Sequence, residues 1–317
     1  MFGQQLPTRW SVAIWLGMTF NLSVLTRDFA ICAVDRRLTT PKGKIVTERS
    51  NKLTLLEFAD GHGFVTYTGI GSDFRKRTPS DWIAEIPDLG RLSIDDAAAA
   101  LKADAEPRLA AIARQGINVR HSFVMGGFKR GNPFALLISN YDSIDGPERA
   151  DADPVLSVSG REMSWRSGAQ HPFLVLAIGA TPRHPAKIQR RLVPAIKKGA
   201  TAKVLRKLVV KTVKDVAYQD DRKASVGSSV QSVVIDRSGN QEILGHVPGG
   251  TTLLEGPNIV GGAMKIADVY VDVSGEPGWR YDRVLGKAKI KETRCKECGT
   301  PVPEGYRRCG VCDAPAP

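Results

Sequence analysis

The chain has 317 residues, of which 42% are hydrophobic and 25% are charged, and its formal net charge is +12. These values are typical of an ordinary globular protein that is long enough for one large domain and a small one. No stretch reaches the roughly 18 consecutive apolar residues of a membrane-spanning helix, so we expect no membrane partner. We interpret the basic charge as a solvated surface, with affinity for an acidic partner such as nucleic acid as the alternative.

The pattern predicts strands, two helices, strands, two helices and a last set of strands, in that order. The strands are expected in a hairpin over 17–37 and then at 44–46, 51–56, 63–71, 122–127, 133–138, 173–179 and from 230 to about 273. The helices are expected at 78–86, 93–114, 185–198 and 201–219. Thr78 with Pro79, and Ser93 with two following aspartates, are typical starts of the first two helices.

This order favours an α+β fold in which two antiparallel sheets form a sandwich with helices on both outer faces, a four-layer αββα arrangement. A doubly wound parallel sheet fits less well, because strands and helices do not alternate singly. We assign this domain to residues 19–273, a linker rich in Gly and Pro to 274–293 and a small module to 294–317. Residues 1–18 are then a leader, a propeptide or an over-extended gene start.

The cysteines define the small module. Four of the five form two C-x-x-C pairs separated by ten residues, namely Cys295, Cys298, Cys309 and Cys312. Four thiolates at this spacing predict one structural Zn²⁺ in a short zinc ribbon, because about twenty residues cannot build a core without a metal. Cysteines used in this way favour a reducing compartment, so we predict a cytoplasmic protein. Cys32 stands alone in a strand and is predicted to be a buried, small apolar residue.

Residues 19–72 hold a set of polar residues at particular spacings. Asp35 lies 16 residues after Thr19 and opens an acidic-basic cluster, and Lys52 lies 33 residues after Thr19. A β-rich run then ends at Gly69 and Gly71. In this order the stretch resembles the N-terminal part of proteasome β-type subunits and their bacterial protease relatives, which belong to the Ntn-hydrolase superfamily.

The resemblance implies an Ntn-hydrolase-like fold and an N-terminal-threonine amide hydrolase that acts, as a peptidase does, on a polypeptide or another amide. Thr19 would be the nucleophile, and its α-amine, with an unperturbed pKa of about 7.7–8.0, would be the base. Lys52 would favour the neutral amine and the developing alkoxide, and Asp35 would orient Lys52. Backbone N–H groups around Gly69 and Gly71 would bind the oxyanion. The family assembles into rings, so a homo-oligomer is also implied.

Two downstream segments depart from the pattern of that family. Ala180 stands where the family has a Ser, with Thr181 as a substitute, and residues 220–227 carry their Asp, Ser and Gly at a different spacing. These departures favour the alternative of a non-catalytic scaffold or binding protein whose zinc ribbon mediates partner contacts. Nucleic-acid binding through the ribbon and the basic helices ranks last. Catalysis would require a free amine on Thr19, after removal of Met18 as the initiator or of 1–18 as a propeptide.

Overall fold

The computed structural model describes sixteen stretches of the chain. They are residues 19–39, 45–47, 50–72, 77–116, 120–144, 151–153, 155–163, 173–179, 185–219, 226–247, 250–252, 259–260, 263–266, 269–272, 292–294 and 301–303. The chain divides into two compact units, Met1–Val284 and Leu285–Pro317.

Within the described residues, the first unit contains four α-helices and most of the strands. Its helices are α1 (Pro79–Glu85), α2 (Ile94–Ala113), α3 (Pro185–Lys197) and α4 (Ala202–Gln219), with a 3₁₀ turn at Leu89–Arg91. Its strands are β1 (Phe20–Leu25), β2 (Phe29–Asp35), β3 (Leu38–Thr39), β4 (Ile45–Thr47), β5 (Leu53–Phe58), β6 (Gly61–Thr68), β7 (Ser122–Lys129), β8 (Asn132–Ser139), β9 (Ser157–Glu162), β10 (Leu174–Gly179), β11 (Val230–Asp236), β12 (Gln241–Val247), β13 (Gly250–Thr252), β14 (Ile259–Val260), β15 (Ala263–Ile266) and β16 (Val269–Asp272).

The two main sheets have six strands each. The first sheet has the order β10-β1-β2-β11-β12-β13, and the second has the order β14-β5-β6-β7-β8-β9. Neighbouring strands are antiparallel except for the short β14, which runs parallel to β5. The predicted combination of two antiparallel sheets with four helices is therefore confirmed.

Three apolar clusters show how the helices and sheets are layered. The cluster between the two sheets includes Leu25, Cys32, Val34, Leu55, Phe64 and Phe128. The outer face of the second sheet packs against α1 and α2 through residues that include Tyr67, Trp82, Leu101, Leu109 and Phe123. The outer face of the first sheet packs against α3 and α4 through residues that include Phe20, Leu22, Ile31, Leu192, Leu205 and Val213. The layers therefore run helix, sheet, sheet, helix.

The alternation along β2 explains why this strand is apolar over most of its length. Cys32 and Val34 point into the space between the sheets, whereas Ile31 and Ala33 point towards α3 and α4. Successive residues of a strand face opposite sides of the sheet, and both sides of this sheet are covered. The prediction that Cys32 is a buried apolar residue is confirmed, since none of its surface is exposed.

The second unit contains one described hairpin. Its strands are β17 (Glu292–Arg294) and β18 (Pro301–Pro303), which pair antiparallel with Arg294 opposite Pro301. The four cysteines predicted to bind zinc lie outside the described residues. Across the parts of the chain that are described, no helix is both long enough and apolar enough to span a membrane.

Packing between the sheets predicts a large effect of shortening Phe64. We expect Phe64→Ala to lower the free energy of unfolding by about 3–5 kcal/mol. The side chain is fully buried, and its removal leaves a cavity between the two sheets that they cannot close. Urea denaturation followed by circular dichroism measures this change. The control is Val158→Ala on β9, where 46% of the side chain is exposed and the expected change is below about 0.5 kcal/mol. Equal effects of the two variants would contradict the layered core.

Candidate active site

Thr19 lies directly before β1, at the edge where the two sheets approach each other. The residue is 3% exposed, and the next residue, Phe20, pairs with Gly179 at the end of β10. Gly179 has φ +100°, and a Cβ on it would lie 1.8 Å from the carbonyl oxygen of Thr19. A glycine is therefore required there, because any side chain would collide with the backbone that carries the Thr19 hydroxyl.

Lys52 brings its ammonium group to the Thr19 hydroxyl. It is fully buried, directly before β5, although lysine is almost never fully buried unless it is paired. Its Nζ donates to Thr19 Oγ1 at 2.8 Å and to Asp35 Oδ2 at 3.3 Å, and it also donates to the carbonyl oxygen of Arg37. An ammonium has three N–H donors, and each of these acceptors can take one of them.

Asp35 ends β2 and accepts hydrogen bonds on both carboxylate oxygens. Its Oδ1 accepts from the backbone N–H of Phe20 at 2.8 Å. Its Oδ2 accepts from the N–H groups of Arg37 and Gly227, each at 3.1 Å, in addition to Lys52. The carboxylate therefore links the start of β1 to the backbone at Arg37 and Gly227, and it fixes the position of the Lys52 ammonium group. The structure thus brings Thr19, Asp35 and Lys52 into contact, and their catalytic roles stay a prediction.

The glycines proposed for the oxyanion occupy a tight turn after β6. Gly69 has φ +101°, and a Cβ on it would lie 2.0 Å from the carbonyl oxygen of Arg120. Between the two glycines, the N–H of Ile70 donates to His121 Nδ1 at 3.2 Å. Gly71 lies against the side chain of Leu38. Close backbone packing accounts for Gly69, and the oxyanion role of Gly69 and Gly71 stays a prediction.

Gln231 is a site residue that the sequence analysis missed. It is fully buried on β11, accepts from the backbone N–H of Lys52 at 3.2 Å and donates to Asn51 Oδ1 at 2.8 Å. Asn51 Oδ1 also accepts from the N–H of Leu53 at 3.3 Å. A strand of the first sheet therefore holds the entry to β5 in the second sheet. The available signal was one long polar side chain inside the apolar run of β11.

Two segments that the sequence analysis found to depart from the family pattern also contribute backbone contacts to the site. Gly179 accommodates Thr19, and Gly227 donates its N–H to Asp35. The residues predicted to carry side-chain roles there, Ala180, Thr181 and 220–225, lie outside the described residues. Backbone geometry is therefore what these segments contribute to the described site.

Two other buried titratable groups, Cys32 and His121, remain neutral near pH 7. Burial raises the pKa of the Cys32 thiol to about 12, so this cysteine is not a nucleophile in the folded chain. Burial also lowers the pKa of His121 to about 3, which keeps its ring neutral and able to accept from Ile70. Among the described residues, no group of three or more His, Cys, Asp or Glu side chains could hold a metal ion.

Two solved structures are distantly similar to the chain. No protein-family model matches the sequence, and no curated protein matches it. Anbu (ancestral beta-subunit) from Yersinia bercovieri is similar with a TM-score of 0.46 and 14% identity, covering 71% of this chain and 86% of that one. An Anbu (Gly-1) mutant from Hyphomicrobium sp. strain MC1 is similar with a TM-score of 0.43 and 15% identity, covering 71% and 84%.

These comparisons correct the family assignment made from the sequence. The prediction of a proteasome β-type subunit with a C-terminal zinc ribbon is wrong as an assignment: no family model matches, and the Anbu structures fall below a TM-score of 0.5. No zinc ribbon is seen among the described residues. The physical reason is that the resemblance rested on three side chains and a glycine turn, which define a local arrangement and not a family.

The buried Lys52–Asp35 pair predicts an asymmetric effect on stability. We expect Asp35→Asn to cost about 3–5 kcal/mol, because it leaves the ammonium without its counter-charge and turns an amide NH₂ towards backbone N–H donors. Lys52→Met should cost less, since Asp35 keeps its backbone donors. Urea denaturation of both single variants and the double variant measures the coupling.

The control for this cycle is the exposed pair of Lys129 and Asp95, whose charged atoms are 2.7 Å apart with Asp95 68% exposed. We expect Asp95→Asn to change stability by less than about 1 kcal/mol. If the two aspartate variants were equally mild, the Lys52–Asp35 pair would not be the structural constraint that its burial indicates.

Proposed function

We propose that this chain is an N-terminal-threonine amide hydrolase of the Ntn-hydrolase-like αββα type, with a polypeptide or another amide as substrate. The observation that carries the proposal is the 2.8 Å hydrogen bond from Lys52 Nζ to Thr19 Oγ1, made by an ammonium that is fully buried beside Asp35. A threonine hydroxyl is a weak nucleophile until a base removes its proton. A fixed cation beside Oγ1 stabilises the negative charge that develops there during attack.

The reaction needs Thr19 to have a free α-amine, and therefore cleavage of the Met18–Thr19 bond. The amine takes the proton from Oγ1 while Oγ1 bonds to the carbonyl carbon of the substrate. The same proton then passes to the leaving nitrogen as the C–N bond breaks, which leaves an ester on Thr19. Water hydrolyses that ester and restores the hydroxyl. Backbone N–H groups near Gly69 and Gly71 would bind the oxyanion.

A second candidate is a non-catalytic scaffold or binding protein with the same fold. The observation that favours it is the burial of Thr19, which is only 3% exposed. A nucleophile covered in this way cannot receive a substrate until the groups that cover it are removed or displaced. The hydrolase additionally requires a free α-amine, so the two candidates differ in one observable property, namely whether Thr19 becomes the first residue.

The test combines the mass of the N-terminus with a covalent probe. We expect the protein from its native host to begin at Thr19 and to form one adduct with a peptide epoxyketone, which bonds to a hydroxyl and a neighbouring free amine. Intact mass spectrometry and peptide mapping locate the adduct. Thr19→Ala should abolish the adduct, Thr19→Ser should retain it, and Thr26→Ala in the β1–β2 turn should leave it unchanged.

Two outcomes would contradict the hydrolase. The first is a native chain that keeps residues 1–18, because Thr19 then has no free amine. The second is a chain that begins at Thr19 but forms no adduct and cleaves no peptide substrate. Either outcome would leave the scaffold as the better account of the buried site.

For the C-terminal unit, we propose a structural Zn²⁺ held by Cys295, Cys298, Cys309 and Cys312. Support comes from the β17–β18 hairpin, because the segment that links its strands contains Cys295 and Cys298. A hairpin link is a favourable setting for a C-x-x-C pair that shares one metal ion. The same thiolates fit a reducing compartment, which is why we propose the cytoplasm. A homo-oligomer stays a prediction from the resemblance.

Native mass spectrometry tests the zinc proposal. We expect one Zn²⁺ per chain, lost on treatment with a strong chelator, because four thiolates complete a tetrahedral site. Cys298→Ser together with Cys312→Ser should remove the metal, and Cys32→Ser should not. A metal-free native chain whose four C-terminal thiols react at once with iodoacetamide would contradict the site.

A further inference from the structure

The outer helical layers of the two sheets carry opposite charge. Residues 185–219, which form α3 and α4, contain ten Lys and Arg residues and one acidic residue, Asp215. This layer therefore has a net charge of +9, against +12 for the whole chain. Residues 79–113, which form α1 and α2, contain seven acidic and three basic residues, a net charge of −4. The positive charge is concentrated on one face instead of being spread for solubility.

On α4, the basic residues form a single stripe. Lys203, Lys207, Lys211 and Lys214 follow one another at intervals of three or four residues, and Tyr218 continues the same line. Residues at these intervals lie on one face of a helix, with a rise of about 6 Å for every four residues. The opposite face of α4 is buried on the first sheet through Leu205, Val209 and Val213. Lys203, Lys207, Lys211 and Tyr218 are exposed and face away from the sheet, whereas Lys214 is half-buried and its charge acts on His246 of β12.

The two helical layers also differ in how their charges are paired. On α2, Lys102 pairs with Glu106 and Arg108 pairs with Asp104. On α4, lysines four residues apart repel one another, and Asp215, which pairs with Lys211 and with Arg191 of α3, is the one acidic residue along the described helix. Like charges at this spacing destabilise a helix. An anionic partner would remove that repulsion, which a solvated surface only screens.

Tyr218 indicates which polyanion fits. Tyr218 is 62% exposed at the end of the lysine stripe, so most of its ring does not pack against the rest of the fold. An exposed aromatic ring beside a line of cations is the arrangement on which single-stranded nucleic acid stacks its bases while its phosphates follow the cations. A membrane surface fits less well, because the apolar face of α4 is buried and cannot insert between lipids.

We propose that the exposed face of α3 and α4 binds single-stranded nucleic acid. The lysine stripe of α4 contacts successive phosphates, Tyr218 stacks on a base, and basic residues of α3 such as Lys187 and Arg190 extend the positive surface. This inference concerns the face opposite α1 and α2, and it does not depend on catalysis at Thr19. The sequence analysis ranked nucleic-acid binding last; what the structure adds is that the exposed lysines of α4 and the exposed ring of Tyr218 share one face.

Fluorescence anisotropy with a labelled 20-nucleotide oligothymidylate tests the proposal on the full chain. About four phosphate contacts predict a slope of log K against log [salt] near −2.8, since each contact on a single strand contributes about −0.7. Affinity should then fall roughly 50-fold between 50 and 200 mM KCl. Tyr218→Ala should weaken binding at least fivefold and leave the salt slope unchanged, because it removes stacking and no charge.

The deciding comparison uses two triple variants with the same change of net charge. We expect Lys203→Glu, Lys207→Glu and Lys211→Glu together to weaken binding more than tenfold and to flatten the salt slope by about 2. The control replaces three exposed arginines of the other layer and its turns by glutamate, at Arg91, Arg114 and Arg130. It should weaken binding less than threefold. Circular dichroism shows whether each variant is folded. If the glutamate variant unfolds, a variant with the same three lysines changed to glutamine replaces it in the binding assay.

Three results would overturn the proposal. The first is equal weakening by the stripe variant and the control variant, because binding would then follow net charge alone. The second is the absence of binding by the wild-type chain at 50 mM KCl. The third is tighter binding to a duplex of the same length or to vesicles containing phosphatidylserine, which would assign the face to a different partner.

Discussion

The ammonium group of Lys52 is fully buried, and the geometry around it constrains the edge where the two sheets meet. A buried charge is expensive unless it is paired and fully hydrogen-bonded. Here one acceptor comes from each of three places: the start of β1 at Thr19, the end of β2 at Asp35 and the turn that follows at Arg37. The chain segments must approach to within hydrogen-bond distance of one nitrogen atom, so the pair defines the position of the Thr19 hydroxyl.

Hydrogen bonds that involve backbone groups also hold Asp35 and Lys52 in place. Asp35 is fixed by N–H groups from β1 and from the segment before β11, and Gln231 of β11 holds the backbone of Lys52. Gly179 leaves room for the Thr19 backbone at the end of β10. Strands of both sheets therefore support one hydroxyl. This rigidity suits a preorganised catalytic group, because a hydroxyl and a cation held in place need no rearrangement when the reaction begins.

The four-layer order separates two kinds of surface. The two sheets are largely apolar on both faces, and the buried group of Thr19, Asp35 and Lys52 lies at an edge of the sandwich. The outer helices have one face in water, and there the charge differs between the acidic layer of α1 and α2 and the basic layer of α3 and α4. A basic face of this size raises the local concentration of anionic partners. The proposed hydrolase site and the basic face therefore occupy different parts of the molecule, and substitutions can change one without touching the other.

The sequence by itself determined the helices and most of the strands, because hydrophobic periodicity and capping are local properties. It offered Thr19, Asp35 and Lys52 only as candidates, through a resemblance. β9 was missed, since Ser157–Glu162 is polar and exposed and is a strand only because it pairs with β8. Gln231 was also missed, because it lies 179 residues from Lys52 along the chain. Only the tertiary structure decided which polar residues share the buried ammonium and which helices share a charged face. Both depend on register and packing between distant segments, which no local pattern encodes.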